Sequence, residues 1–257
     1  KDFRPISIVH SLPKLAIKVL TRRLQVHIPN LVHSLQSGFI KGRAIVENFA
    51  MAADMIQTAH KRMLPMVALK LDFQKAFDTV SWSCLFSILT ARGFPQRWIS
   101  WLESLLSTAN SKVMLNGELG DSFTTRRGFQ QGDSISPYLF ILVADVLQRL
   151  CCSAFQDGHL IHPLGSDRMF PVLQYADDTL ILFHGSVEQA LIIKQILSDF
   201  SDFSGLNINY HKSTLIPICM ESTITNATVG LFGCPASSFP CTYLGLPLSS
   251  HKIRHDM

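Results

Sequence analysis

The chain has 257 residues, of which 47% are hydrophobic and only 16% charged. This length suits one large domain or two small ones, and the low charge indicates a surface that normally packs against further protein. No apolar run reaches the roughly 18 residues of a membrane span, since the longest candidate is interrupted by Asp145. No signal peptide is visible and the sequence starts in mid-pattern at Lys1. We therefore expect an intracellular fragment of a longer protein, with no membrane partner.

The charge is unevenly distributed along the chain. Residues 1–65 carry a net charge of +7, whereas residues 66–257 carry a net charge of −3. A basic segment beside an acidic remainder is typical of proteins that bind a polyanion such as nucleic acid. Because basic surfaces are common, this distribution supports a nucleic-acid partner without establishing one.

The six cysteines do not form a metal or disulfide pattern. No C-x-x-C occurs, and the best metal-like string is Cys234, Cys241, His251 and His255. Its H-x3-H half suits zinc, but its C-x6-C half exceeds the usual spacing. We therefore predict free thiols in a reducing compartment.

The first half of the chain predicts helices around one short strand. Residues 14–28 have helical spacing that ends at Pro29, and residues 44–62 predict a second helix. Residues 66–73 predict a buried strand that ends at Asp72. Two amphipathic helices follow, and then a hairpin with Asn116-Gly117 as its turn.

The second half predicts further strands and two long helices. A helix begins near Pro137, and another is bounded by Ser186 as cap and Gly205 as terminator, with Gln189 completing a capping box. Residues 170–183 predict a hairpin, residues 206–210 predict a further strand, and the segment 241–249 closes the sequence. The elements lack a regular βαβ rhythm, so we predict an α+β fold with helices on one face of a small antiparallel sheet.

Three aspartates stand out because they follow apolar strands. Asp177 and Asp178 lie at the tip of the predicted hairpin, and Asp72 ends the earlier strand. Adjacent carboxylates repel unless a cation neutralises them, and Mg²⁺ prefers oxygen ligands of this kind. An isolated Asp-Asp pair would more simply be a solvated turn. With a third acid on a second strand, the pattern instead favours two metal ions that serve phosphoryl transfer.

The order of motifs resembles the reverse transcriptase domain of LINE-type non-LTR retrotransposons, with the plant elements as the nearest likeness. The resemblance covers nearly the whole chain and rests on seven blocks in the family's order. These are DFRPISIVHSLPKLAIKVLTRRL, QSGFIKGRAIVENF, LKLDFQKAFDTVSW, RRGFQQGDSISPYLFILVADVL, YADD, SGLNINYHKS and YLGLPLS. The YADD tetrapeptide alone would be a weak match, but seven ordered blocks are specific.

The resemblance implies a right-hand polymerase palm that lacks a thumb. Residues 1–65 would be partial, mostly helical fingers, and residues 66–257 would be the palm with inserted helical elements, ending at a segment similar to a primer grip. The catalytic, metal-binding acids would be Asp72, Asp177 and Asp178, with two Mg²⁺ ions, or Mn²⁺ in their place. Lys212 would protonate the pyrophosphate leaving group.

Nucleotide-binding residues also follow from the resemblance. Phe77 would be the steric gate beneath the sugar, Gln131 and Gly132 would contact the incoming nucleotide and the templating base, and Arg4 would bind the triphosphate. Two positions depart from many relatives, which have a basic residue where Gln130 stands and proline where Ser134 stands. Each of these residues also has an ordinary structural interpretation, such as a core phenylalanine, a plain turn or a surface arginine.

Other residues match positions near the template and primer. Lys41 and Arg43 would contact the phosphate backbone, and nucleic-acid contacts are also expected at Tyr175, Leu244 and Gly245. Asp78, by contrast, has a simpler interpretation as a cap of the helix that begins near Trp82, or as a residue that holds a turn.

The implied function is RNA-directed DNA synthesis. The partners would be an RNA template, a DNA primer and dNTPs, together with an upstream endonuclease and a downstream thumb or RNase H region of the parent polyprotein, and an active element would work in the nucleus. Two alternatives stay open at this point. One is a group II intron or retron-type reverse transcriptase; the other is an inactive remnant that at most binds nucleic acid.

Overall fold

The computed structural model describes residues 11–108, 110–165 and 169–251. Arg4 and His255 lie outside these residues. Within the described part the helices are α1 (Ser11–Leu31), α2 (Ile45–Lys61), α3 (Ala76–Thr79), α4 (Trp82–Ala91), α5 (Gln96–Ser107), α6 (Ser136–Gln156), α7 (Val187–Ser204) and α8 (Ser222–Phe232). The strands are β1 (Met66–Leu71), β2 (Asn110–Ser111), β3 (Met114–Leu115), β4 (Glu118–Leu119), β5 (Phe123–Thr124), β6 (Val172–Tyr175), β7 (Asp178–His184), β8 (Thr214–Ile218), β9 (Cys241–Tyr243) and β10 (Leu246–Leu248).

A four-stranded antiparallel sheet in the order β6-β7-β1-β8 forms the centre of the fold. Successive side chains of a strand point to opposite faces, so β1 contributes to two cores. Val67, Leu69 and Leu71 join a large core with α1 and α4–α8, while Met66 and Ala68 join a smaller core with α2 and the β9–β10 hairpin. The predicted α+β fold with a small antiparallel sheet is confirmed, and most helices share one face. Helix α2 covers part of the other face, so the helices are not confined to one face as predicted.

Helix α6 is the central helix of the large core. It is long and apolar enough, by composition alone, to cross a membrane, although no such run was recognised in the sequence. Most of its apolar window is buried inside the protein, however. At its middle, Asp145 is fully buried and is paired with Arg92 and Arg149. The apolar composition of α6 therefore fits its place in the large core.

Some predicted helix ends are confirmed and others are wrong. The Ser186 hydroxyl accepts a hydrogen bond from the Gln189 backbone N–H, and Gly205 ends α7 in the left-handed conformation. The Gln189 side chain does not close the capping box; it bonds to the backbone of residues 159 and 161 instead. Helix α1 continues beyond Pro29 to Leu31. Arg43 donates to the Pro29 and Val32 carbonyls, which supplies partners at the helix end.

The strand predictions show a similar mixture. The predicted Asn116-Gly117 turn is confirmed. Residues 241–249 form a hairpin that was not predicted, and both turns have two central residues at positive φ. Residues 206–210 do not form a strand, because only Ile208 makes an isolated bridge, to Phe73. The strand that pairs with β1 on the side away from β7 is β8, which was not predicted. The domain boundary expected after residue 65 stays a prediction.

The cysteines are all free thiols, as predicted. Among the described residues, no three His, Cys, Asp or Glu side chains are grouped closely enough to hold one metal ion. The zinc-like string that includes Cys234 and Cys241 therefore gains no support from the described part of the chain.

Candidate active site

The β6–β7 hairpin carries two adjacent aspartates in and beside its turn. This turn lies where the strands end, and we call this end of the sheet its acidic edge. Tyr175 pairs with Asp178, so Ala176 and Asp177 are the two central residues of the turn. Ala176 has a φ of 56°, a left-handed conformation that is uncommon for a residue other than glycine. Ala176 is buried, whereas Asp177 and Asp178 are exposed. The apolar flanks of the hairpin thus pair within the sheet, and the acids lie outside the core.

Asp72 lies opposite Asp178 across the neighbouring strand pair. Strand β1 pairs with β7 with Leu71 opposite Thr179, and continuing this register by one residue places Asp72 opposite Asp178. Directly opposed residues of an antiparallel pair have Cβ atoms about 4.5–5.5 Å apart and share a face. The predicted acids are therefore brought to one edge of the sheet by backbone pairing alone.

The three carboxylates affect one another electrostatically. The pKa of Asp178 is raised above its ordinary value, chiefly by partial desolvation and next by the Asp177 carboxylate. Asp72 acts in the same direction, whereas the Lys70 ammonium lowers the pKa of Asp178. Lys70 thus provides a positive charge close to the acids, but it also donates to the Thr242 carbonyl at 3.1 Å. Its position inside a buried strand was a signal in the sequence that we missed.

Hydrogen bonds to the turn at residues 209–213 hold the backbone of Asp72. The Asn209 N–H donates to the Asp72 carbonyl at 2.8 Å, and the Asp72 N–H donates to the buried Ser213 hydroxyl at 3.1 Å. Lys212 lies in the same turn, where its N–H donates to the Asn209 carbonyl at 3.0 Å. The Lys212 side chain is exposed. One short turn therefore supports the first acid and carries the lysine expected to act as a proton donor.

Helix α3 follows Asp72 in the sequence and contacts both α6 and the loop that precedes α6. Phe77 is half-buried, and its ring stacks on Phe140 of α6 with centroids 4.7 Å apart and planes at 22°. The Phe129 N–H donates to the Phe77 carbonyl at 2.6 Å, which ties the loop to α3. A Cβ on Gly128 would lie 2.4 Å from the Asp78 carbonyl oxygen, so only glycine allows this close approach.

Asp78 does not cap α4, contrary to the sequence prediction. Ser81 is the N-cap, and its hydroxyl accepts from the Cys84 N–H at 3.3 Å. Asp78 instead lies inside α3 and accepts a hydrogen bond from the Gln131 side-chain amide at 3.3 Å. The next residue, Gly132, has a φ of 107° and is exposed. Asp78 therefore connects α3 to the residues predicted to contact the nucleotide.

The β9–β10 hairpin covers the sheet beside the acids. Its turn consists of Leu244 and Gly245, both at positive φ. Tyr243 is almost fully buried, and its hydroxyl donates to the Leu173 carbonyl at 3.5 Å. Burial raises the pKa of Tyr243, and the nearby Asp178 charge adds to this. Tyr175, which pairs with Asp178, is half-buried.

The two basic residues of the IKGRA segment have different surroundings. Lys41 is exposed. Arg43 donates to the carbonyls of His33 and Gln36 at 2.6 and 2.7 Å, in addition to the carbonyls at the end of α1. This geometry favours a structural role for Arg43 over the predicted phosphate contact, because its guanidinium donors are directed at backbone oxygens.

The donor set at the acidic edge fits a hard divalent cation. Carboxylate oxygens at two strand ends are the ligands that Mg²⁺ and Mn²⁺ take. Within the described residues the side chains are not drawn together into one ligand group. The register nevertheless places Asp72 and Asp178 side by side, with Asp177 in the adjoining turn. A cation would offset the repulsion that raises the pKa of Asp178.

Known families and proteins match most of this chain. The family model for reverse transcriptase (RNA-dependent DNA polymerase) matches residues 1–248. A retrovirus-related Pol polyprotein from the type-1 retrotransposable element R2 of Popillia japonica is 28% identical over 224 residues, which are 87% of this chain and 30% of that protein. The corresponding R2DM polyprotein of Drosophila melanogaster is 26% identical over 220 residues, or 85% of this chain and 20% of that protein. The chain thus spans less than a third of either relative.

Solved structures show the same fold. A telomerase from Candida tropicalis, in complex with a fragment of telomeric RNA, superimposes with a TM-score of 0.64 at 14% identity, covering 91% of this chain and 36% of that one. The apo telomerase from the same organism, truncated at its C-terminal domain, superimposes with a TM-score of 0.59 over 80% of this chain and 41% of that one. The chain belongs to the reverse transcriptase family of RNA-dependent DNA polymerases, and its similarity to R2 retrotransposon polyproteins is consistent with the predicted LINE-type resemblance.

Proposed function

We propose that the chain is the catalytic palm of an RNA-directed DNA polymerase that extends a primer 3′-hydroxyl with dNTPs on an RNA template. The observation that carries this proposal is the placement of Asp72 and Asp178 opposite each other on adjacent strands, with Asp177 in the adjoining turn. Family membership supports the same reaction. The relatives favour the non-LTR type over a group II intron or retron type.

The acids would hold two divalent cations, Mg²⁺ or Mn²⁺. Bound there, the cations would supply charge neutralisation for the attacking and leaving oxygens of an in-line displacement. Asp72, Asp177 and Asp178 would provide the oxygen ligands. Lys70 would offset part of the negative charge of the acids, because its ammonium group lowers the pKa of Asp178.

Other residues would bind and orient the substrates. The exposed Lys212 would give a proton to the pyrophosphate as it leaves, at its Nζ atom, from a turn fixed to the Asp72 backbone. The Phe77 ring, supported from behind by Phe140, would lie under the sugar of the incoming dNTP. Gln131 and Gly132 would face the nucleotide, and Arg4 would bind its triphosphate.

The template and primer would run across the surface beside the acids. The β9–β10 hairpin, through Leu244 and Gly245, would support the primer end, with Tyr175 beneath it. Lys41 would contact a phosphate of the backbone. Further regions of a parent polyprotein, such as an endonuclease, a thumb or an RNase H domain, would complete the duplex grip and target choice.

The test is primer extension by the 257-residue chain, with and without Mg²⁺, on an RNA template annealed to a DNA primer. We expect Mg²⁺-dependent extension by the wild-type chain and none by Asp177→Asn. Asp54→Asn is the matched control, because Asp54 is an exposed aspartate on α2. Equal extension by Asp177→Asn and Asp54→Asn would overturn the assignment of the acids. No extension by the wild-type chain, with duplex binding retained, would support the inactive remnant instead.

A further inference from the structure

A buried polar segment, residues 35–38, adjoins the hairpin that carries two of the acids. Gln36 forms a parallel bridge with Gln174 of β6. The Ser37 N–H donates to the Gln174 carbonyl at 2.9 Å, and the Gln174 N–H donates to the Leu35 carbonyl at 3.0 Å. The segment thus extends the catalytic sheet beyond β6. It places the Gln36 side chain next to the acidic turn.

The Gln36 side chain bonds directly to the turn. Its Oε1 atom accepts from the Ala176 N–H at 3.0 Å and from the Gly38 N–H at 2.9 Å. Because two N–H donors converge on this atom, it must be the oxygen of the amide. Ala176 is the residue at positive φ that immediately precedes Asp177 and Asp178. Gln36 therefore holds the backbone N–H of Ala176, the residue immediately before the two aspartates.

Two further observations indicate that this contact is specific. Gln36 is fully buried, and its side-chain Nε2 atom has no hydrogen-bond partner among the described residues. Burying an amide costs free energy unless its polar atoms are bonded, so the two hydrogen bonds to Oε1 explain this glutamine better than packing does. A Cβ on Gly38 would lie 2.4 Å from the Ala176 nitrogen, which shows how closely the segment approaches the turn.

We propose that Gln36 is a positioning residue that fixes the backbone of Ala176. The close approach of Gly38 to Ala176 brings Gln36 into reach of the turn. The position of Ala176 in turn sets where the carboxylates of Asp177 and Asp178 lie. The inference rests on the proposed function, in which those carboxylates hold metal. It adds a residue from outside the palm hairpin to the catalytic apparatus. Residues that orient metal ligands without touching the metal commonly alter metal affinity 10–100-fold when changed.

The test uses two variants with matched controls. Gln36→Met removes the acceptor at similar volume, and Gln148→Met is its control, because Gln148 is an equally buried glutamine that bonds to the Phe170 carbonyl and not to the turn. Gly38→Ala adds one methyl group against Ala176, and Gly230→Ala is its control, because a Cβ on Gly230 in α8 meets nothing within 4 Å.

Two quantities are measured on the full chain. The first is hydrogen exchange of the Ala176 amide, and the second is binding of Mn²⁺ alone, followed by loss of the free-ion EPR signal. We expect Ala176 exchange to accelerate at least about tenfold in Gln36→Met, and Mn²⁺ affinity to fall about tenfold in both Gln36→Met and Gly38→Ala. The two control variants should match the wild-type chain in both measurements.

The outcomes separate this inference from the proposed function. Unchanged Ala176 exchange in Gln36→Met would overturn the inference, and so would Mn²⁺ affinity equal to that of Gln148→Met. If Gln36→Met does not fold, Gly38→Ala decides, and wild-type Mn²⁺ affinity in that variant would overturn the inference. If exchange and Mn²⁺ affinity change as expected while the wild-type chain extends no primer, the positioning role stands and the polymerase function fails.

Discussion

Two groups of aspartates in this molecule meet opposite electrostatic surroundings. Asp145, fully buried in α6, accepts from Arg92 at 2.7 Å, from Arg149 at 2.6 Å and from the His33 N–H at 2.6 Å. The acids at the sheet edge are exposed or half-exposed, and they lie beside one another with Lys70 as a nearby cation. The same residue type is thus fully compensated by protein in one region and incompletely compensated in the other.

The difference separates an acid with a structural role from the acids that we propose hold metal. Asp145 connects three elements, because Arg92 at the end of α4 and Arg149 of α6 also donate to the Leu31 carbonyl at the end of α1. Removing one partner of such a buried group leaves an uncompensated charge. Among the described residues, no ion pair joins the carboxylate of Asp177 or Asp178 to another element in this way. Their mutual repulsion opposes folding slightly, and a bound cation would remove it.

The largest expected effect is on catalysis at the edge. Asp177→Asn should lower the rate of Mg²⁺-dependent extension by at least about 10³-fold, equivalent to roughly 4 kcal/mol in the barrier, because a ligand of the cations is lost. Its unfolding free energy in EDTA should be unchanged or slightly higher, since a repulsive charge is removed. Single-turnover extension and urea denaturation measure the two quantities. A rate within a few-fold of the wild-type value would contradict the proposal that Asp177, unlike Asp145, acts in catalysis.

The next effect is on stability at the buried site. Asp145→Asn should lower the unfolding free energy by about 3–5 kcal/mol, because Arg92, whose side chain is only 12% exposed, loses its counter-ion. Denaturant titration measures the loss. Extension per folded molecule should stay near the wild-type value. A loss below about 1 kcal/mol would show that the ion pair does not hold α1, α4 and α6 together.

A smaller effect is expected for sugar selection at Phe77. Phe77→Ala should raise ribonucleotide over deoxyribonucleotide incorporation by one to two orders of magnitude, if the clash with a 2′-hydroxyl costs roughly 1.4–2.8 kcal/mol. Losing the stack on Phe140 should also lower the free energy of unfolding, by no more than about 4 kcal/mol because the ring is only half-buried. Both nucleotides are compared on one preparation, because unfolding lowers both rates equally. An unchanged ratio would leave Phe77 as a core residue.

The smallest effect is expected at Asp78, an acid near the site that holds no metal in this account. Asp78→Asn keeps an oxygen that can accept from the Gln131 amide, so the unfolding free energy should fall by about 1 kcal/mol or less. Extension should stay within a few-fold of wild type. Loss of Mg²⁺-dependent extension comparable to that of Asp177→Asn would place Asp78 among the metal ligands and break the distinction drawn here.

The sequence predicts those parts of the fold that depend on local chemistry. Ser186, Gly205 and the Asn116-Gly117 turn act through nearby backbone, and all three behave as predicted. The adjacency of Asp72 and Asp178 was also predictable, because each follows an apolar strand of a recognisable block. Strand β8 was missed since Pro217 interrupts its β pattern.

The errors occur where distant residues decide the structure. Residues 206–210 contain an apolar alternation, yet they form only a single antiparallel bridge, between Ile208 and Phe73. Its hydrogen bonds join Asn207 to Gln74 and Asn209 to Asp72, and the pairing extends no further. Arg43 looked like a phosphate ligand because its carbonyl partners near the end of α1 are invisible in a local pattern. Gln36 has no feature in the sequence that indicates its contact with Ala176. Such tertiary hydrogen bonds can be read only from the folded chain.

The most direct test of the contrast between the two groups of acids is the unfolding free energy in MgCl₂ compared with NaCl at the same ionic strength. Because Mg²⁺ would bind the folded edge and not the unfolded chain, the wild-type chain should gain about 1.4 kcal/mol when Mg²⁺ is at tenfold its dissociation constant. Asp54→Asn should gain the same amount and Asp177→Asn almost none. Equal gains in the wild-type chain and Asp177→Asn, or no gain in either, would contradict the account.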